Sequence, residues 1–187
     1  MADTAPQKQR RSWPWYLFGH SLVVLLTAFL AARSLGDPMA PEYATALHTT
    51  YQLKNASSAY ETEYGTLPHS GAESDRVFYS DAFFLTAITP SELDTPKNPR
   101  RIVFYAGIPA KEDSHGRHYQ GLSQDSEGRY LLWDPWGNHY RIALDCDNDG
   151  RIPDPMNPSD TLPESIVIWS AGADGDCKTW EDNPRSW

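Results

Sequence analysis

Residues 130–144 read Tyr-Leu-Leu-Trp-Asp-Pro-Trp-Gly-Asn-His-Tyr-Arg-Ile-Ala-Leu, and this stretch decides the fold class. Tyr130–Trp133 and Tyr140–Leu144 are aromatic and branched, the composition of short strands. Between them Pro135-Trp136-Gly137-Asn138 carries the residues that reverse a chain, so the two strands are expected to pair antiparallel. Arg101–Tyr105 (RIVFY) and Ile166–Trp169 (IVIW) are further strand candidates. Residues 66–80 read as a loop. Residues 109–128, polar and glycine-containing, read as an excursion from the sheet.

Upstream the period changes. Ala46, Leu53, Ala56, Tyr60 and Tyr64 recur at helical spacing and form one weakly apolar stripe. Asp37-Pro38 offers a cap and a first-turn proline, Gly65 a left-handed stop, and Pro68 a bar to resumption. A helix over about 38–64 follows. Asp81-Ala-Phe-Phe-Leu-Thr-Ala-Ile88 is a second, short helix ended by Pro90, with Phe83, Phe84, Leu85 and Ile88 as core candidates. A helix followed by a small antiparallel sheet over about 98–187 makes the class α+β.

The N-terminal segment sets the expected context. Trp15–Ala32 (WYLFGHSLVVLLTAFLAA) holds no acid and no permanent base, and its length reaches the lower limit for a membrane-crossing helix. Trp13, Trp15 and Tyr16 mark an interface, and Lys8, Arg10 and Arg11 place the preceding tail in the cytoplasm. A cleaved secretory signal is the rival reading. The apolar run is long for one, which favours a retained anchor. The expected organisation is a cytoplasmic tail (1–14), a transmembrane helix (15–35) and one extracytoplasmic domain (36–187). Gly19, Ala28, Ala31 and Ala32 would let helices approach closely within the bilayer.

Charge narrows the partners. The chain carries a formal net charge of −9, and residues 1–33 are basic, so the remainder is more acidic still. Such a domain disfavours nucleic acid, whose phosphates need a basic face. Two acidic loops stand out. Asp145-Cys-Asp-Asn-Asp-Gly150 has the alternation D-x-D-x-D-G that opens an EF-hand loop, but Met156 occupies the place of the closing acid. Asp145, Asp147 and Asp149 therefore read either as an atypical cation loop or as a turn between strands. Ser170-Ala-Gly-Ala-Asp-Gly-Asp176, with Glu181-Asp182 after it, is a second loop whose oxygens would suit calcium. Cys146 and Cys177 are the two cysteines, bonded or free. His115 and His118 near Asp113 read as solvated loop residues, and the C-terminal tryptophans as core. No nucleophile elbow, zincin or nucleotide-binding motif is present, and no catalytic residue is expected.

Several segments together resemble a known family. Tyr60-Glu-Thr-Glu-Tyr-Gly-Thr-Leu-Pro68 is similar to the end of the long helix in type II secretion pseudopilins. Asn98-Pro-Arg-Arg-Ile-Val-Phe104 resembles another of their segments. Asp134-Pro-Trp-Gly-Asn-His-Tyr140 is similar to the D-P-W-G-x-P-Y turn of the major pseudopilin, with His139 for the proline. Ser170-Ala-Gly-Ala-Asp174-Gly with Glu181-Asp182 resembles that family's calcium loop. The resemblance spans roughly residues 43–187.

It implies a pseudopilin-like fold: a transmembrane helix and helical spine followed by a small antiparallel β-sheet head. It further implies a structural subunit of a type II secretion or type IV pilus-like assembly in the bacterial inner membrane, with the head in the periplasm. The partners would be other copies, other pseudopilins and inner-membrane secretion components. Calcium would be held by Asp174 and Asp182 with Ser170, and Asp176 lies in the same loop. Asp145, Asp147 and Asp149 would be a second site. The leader departs from the family: Gly19-His20 stands at the processing position, His20 replaces the aromatic residue, and Val24 replaces the family's glutamate. A solitary membrane-anchored binding module that does not polymerise is the alternative.

Overall fold

The computed structural model describes residues 40–69, 74–90 and 96–187. The expected tail, membrane span and Gly19-His20 processing position lie outside them. Helix α1 (Ala40–Tyr64) presents Ala46, Thr50, Leu53, Ser57 and Tyr60 inward at alternating spacings of four and three. That is the spacing of one continuous helix face. Gly65 ends it at φ 71°, its N–H donating to the Glu61 carbonyl at 2.7 Å, as the sequence predicts. Helix α2 (Ala82–Ile88) is capped by Asp81, whose carboxylate accepts from the Phe84 N–H at 3.2 Å. Phe84, Leu85 and Ile88 are buried as expected, whereas Phe83 turns outward and is 60 % exposed.

The main sheet has three antiparallel strands in the order β1 (Arg76–Tyr79), β6 (Arg141–Leu144), β9 (Ile166–Trp169). Three two-strand ribbons accompany it: β2 (Lys111–Glu112) with β3 (His118–Tyr119), β4 (Gly121–Gln124) with β5 (Tyr130–Trp133), and β7 (Ile152–Pro153) with β8 (Thr161–Leu162). Ile142, Leu144, Ile166 and Ile168 face the main core together with Leu53, Tyr60, Phe84 and Leu85. Alternation puts Ala143, Val167 and Trp169 on the opposite face, where Ile152, Leu162, Trp180 and Trp187 cover them.

This architecture corrects the expected one. The head is divided among four sheets instead of one, and among the described residues no helix is long and apolar enough to cross a membrane. Strands β5 and β6 do not pair with each other. Ser80, fully buried, is wedged between them: its carbonyl accepts from Leu132 N–H (2.9 Å) and its N–H donates to the Tyr140 carbonyl (3.0 Å). Its hydroxyl donates to the Leu132 carbonyl (2.8 Å) and accepts from Tyr140 N–H (2.9 Å). One inserted residue thus takes the bonds a hairpin would have used, and each strand pairs elsewhere. The loop expected over 66–80 contains strand β1, so the sheet begins well before residue 98. RIVFY is no strand; the Phe104 and Tyr105 N–H groups both donate to the Ile88 carbonyl at the end of α2, at 3.0 Å.

Candidate metal centre

The register of β1 on β6 pairs Arg76 with Leu144, so Asp75 and Asp145, the next residues outward, meet at that end of the sheet. Asp147 follows in the loop after β6. One carboxylate oxygen from each of Asp75, Asp145 and Asp147 lies within 4.8 Å of the other two. Asp145 is 3 % exposed, Asp75 half-buried and Asp147 exposed. Backbone donors hold the set in place. Cys146 N–H donates to Asp75 Oδ1 (2.9 Å), Gly150 N–H to Asp145 Oδ2 (2.8 Å) and Asp149 N–H to Asp145 Oδ1 (3.1 Å). Desolvation raises the Asp75 carboxyl above the usual range, and the neighbouring Asp147 and Asp145 charges push it the same way, against the lowering effect of the Cys146 N–H.

Three convergent carboxylates are a hard-oxygen donor set, the chemistry that calcium takes. Mutual repulsion costs stability until a cation neutralises it. The Asp149 carboxylate is not one of the converging group; it accepts from Arg151 N–H at 2.8 Å, completing a local turn, while its own N–H donates to Asp145 and Asp147. The alternating motif therefore supplies two of the three acids, and the third comes from a segment read as loop. Recognising Arg-Val-Phe-Tyr as a strand opposite Arg-Ile-Ala-Leu would have brought Asp75 to Asp145.

The C-terminal loop is built differently. Ser170, fully buried, donates its hydroxyl to Asp134 Oδ2 at 2.5 Å and accepts from Gly172 N–H at 3.1 Å. Asp134 is fully buried at the head of the P-W-G-N turn, where its Oδ1 accepts from Trp136 N–H (2.9 Å) and Asn138 N–H (2.7 Å). Burial raises its carboxyl, and the Ser170 hydroxyl and these amides oppose that rise. Asp182 Oδ2 accepts from Ala173 N–H (2.8 Å) and Asp174 N–H (3.3 Å). A Cβ on Gly172, at φ +66°, would meet that oxygen at 2.6 Å, so the close approach requires glycine. Asp174 accepts from the Thr179 hydroxyl (2.6 Å) and Asp176 N–H (2.8 Å), which hold its carboxyl below the usual range. Asp176 Oδ1 accepts from Lys178 N–H at 2.9 Å.

Ser170, Asp174, Asp176 and Asp182 are thus each engaged as local staples, and among the described residues the converging acids are Asp75, Asp145 and Asp147. Cys146, buried, and Cys177, half-buried, are free thiols and form no bridge. His115 is exposed, and the Asp113 carboxylate beside it is bound to the His115 and Arg117 amides and the Arg117 guanidinium. No protein-family model, curated protein or solved structure matches the chain.

Proposed function

We propose that the chain is a structural, self-associating subunit of a secretion-type or pilus-like assembly at the bacterial inner membrane, with helix α1 as the surface that packs against neighbouring copies. One observation carries the reading: the uncovered face of α1 is almost without charge. Eleven residues of 41–64 are exposed, and Glu63 is the single acid or permanent base among them. Glu63 itself is paired with Arg100. The rest include Tyr43, Ala44, Tyr51, Gln52, Ser58 and Ala59. Thr62 folds its hydroxyl back onto the Ser58 carbonyl at 2.9 Å, which reduces its polarity further. A helix face meant for water ordinarily carries charged residues. Small and aromatic residues instead allow close approach and a large contact area.

In this reading the head supplies no chemistry. It orients subunits, and calcium at Asp75, Asp145 and Asp147 holds the β1 and β6 ends together. Ala59→Glu, in the full chain expressed in its own membranes, tests the assembly. The buried face is untouched, so thermal stability should stay within about 0.5 kcal/mol. Chemically cross-linked multimers should fall by about tenfold. Multimers at wild-type yield would refute the role of this face.

A further inference from the structure

The second face of the main sheet is incompletely covered. Ribbon β7–β8 and the C-terminal tryptophans lie over Ala143, Val167 and Trp169, but not over β1. There Val77 and Tyr79 point to the same side and are 51 % and 47 % exposed. Ala143, pairing with Val77, is too short to fill the gap between Val77 and Trp169. The result is a cavity of about 280 Å³ walled by Val77, Ala143, Ile152, Trp169 and Trp180, with Pro153, Pro155 and Pro158 along one side. Its walls are mainly apolar, but Asp75 and Asp154 stand in the lining, with Arg76 as the single base. Asp145 and Asp147 adjoin Asp75.

Two features define an occupant. The volume falls just under the range of about 300–1,000 Å³ typical of sites that enclose a whole small molecule, so it suits one or two side chains. The second is charge: the Asp75 and Asp154 carboxylates beside an apolar hollow complement a basic residue flanking an apolar one.

The geometry points to a docking groove for a partner protein, which inserts an apolar side chain over Ala143 and, in the calcium-free chain, sets a neighbouring lysine or arginine against Asp75 and Asp154. This surface is distinct from the outward face of α1, so it can be tested whether or not the chain self-associates. The probes are two labelled peptides, acetyl-Lys-Leu-Trp-Lys-amide and acetyl-Glu-Leu-Trp-Glu-amide, titrated by fluorescence polarisation against the purified full chain in chelator. Saturable binding is expected for the basic peptide, with the acidic one at least about tenfold weaker. Val77→Ser and Asp154→Asn alter exposed or rim positions and should each weaken the basic peptide by about fivefold or more, with the melting temperature held. Absence of saturation, equal affinity for both peptides, or unchanged affinity in both variants would overturn the groove. So would free indole competing as well as the peptide, which marks a small-molecule cavity. Concentration-dependent self-association abolished by Val77→Ser would overturn it too, because the occupant would then be a second copy.

Discussion

The inner and outer faces of α1 are made of nearly the same residues. Inward lie Ala46, Thr50, Leu53, Ala56, Ser57 and Tyr60; outward lie Tyr43, Ala44, Tyr51, Gln52, Ser58 and Ala59. The inner set is buried because Ile166 and Ile168 of β9, with Phe84 of α2, close over it. The outer set has no such cover among the described residues. A protein surface and a protein interior ordinarily differ in charge, and here the exposed face adds only Glu63, itself paired with Arg100. The difference lies in what is present to cover each face, and that is why the outer one reads as an interface.

Truncation on the inner face should have the largest effect. Leu53 is fully buried, so Leu53→Ala should cost about 2–5 kcal/mol, read by chemical denaturation. Tyr51→Ala, two residues earlier and on the outer face, should cost less than about 0.5 kcal/mol in the isolated subunit and weaken assembly. Equal costs for the two in the isolated subunit would erase the contrast.

Calcium should act on the head and leave both helix faces alone. At a free concentration of 100 times its Kd, a cation that binds only the folded chain adds about 2.7 kcal/mol, seen as a rise in melting temperature that chelator reverses. Asp75→Asn should abolish the rise and Asp174→Ala should preserve it. The opposite pattern would move the centre to the C-terminal loop.

Acid should produce a smaller effect near the end of α1. His69 is buried among Phe78, Phe83 and Phe84, with ring centroids 5.5, 4.2 and 5.8 Å away. Neither ring nitrogen completes a hydrogen bond among the described residues, although the Phe83 and Phe84 backbone lies close enough to favour the charged ring slightly. Desolvation first, and then the Lys97 charge, lower its pKa below the ordinary 6.5, with Asp81 opposing. The folded chain therefore binds this proton less readily than the unfolded one. The stability that His69 contributes is present above pH 6.5 and is lost as the pH falls from there through the depressed folded value. His69→Phe should flatten that part of the stability–pH curve; an unchanged slope would assign it to other groups.

How much of this was legible in the sequence depended on the range of the interactions involved. Both helices were, because caps, stop residues and a repeating stripe are local signals: Asp81, Gly65 and Leu53 act within a few residues of themselves. The hairpin over Tyr130–Leu144 was misread because its competitor, Ser80, is 50 residues upstream and carries no pattern of its own. RIVFY has strand composition, but its amides meet the last carbonyl of α2 instead of a neighbouring strand. Asp75 was missed for the same reason as β1, since four residues in a polar stretch make a weak period. The motif Asp145–Asp149 supplies two of the three converging acids, and the third, Asp75, comes from the far side of the strand pair.

Cysteine cross-linking along α1 tests the assembly most directly. In full chain with Cys146→Ser and Cys177→Ser, single cysteines are placed at Ala44, Tyr51, Asn55 or Ser58 on the outer face, and at Thr50 or Ser57 on the inner, and the native membranes are oxidised. Disulfide-linked dimers are expected from outer positions and none from inner ones. Monomer at every outer position, or dimers irrespective of face, would contradict it.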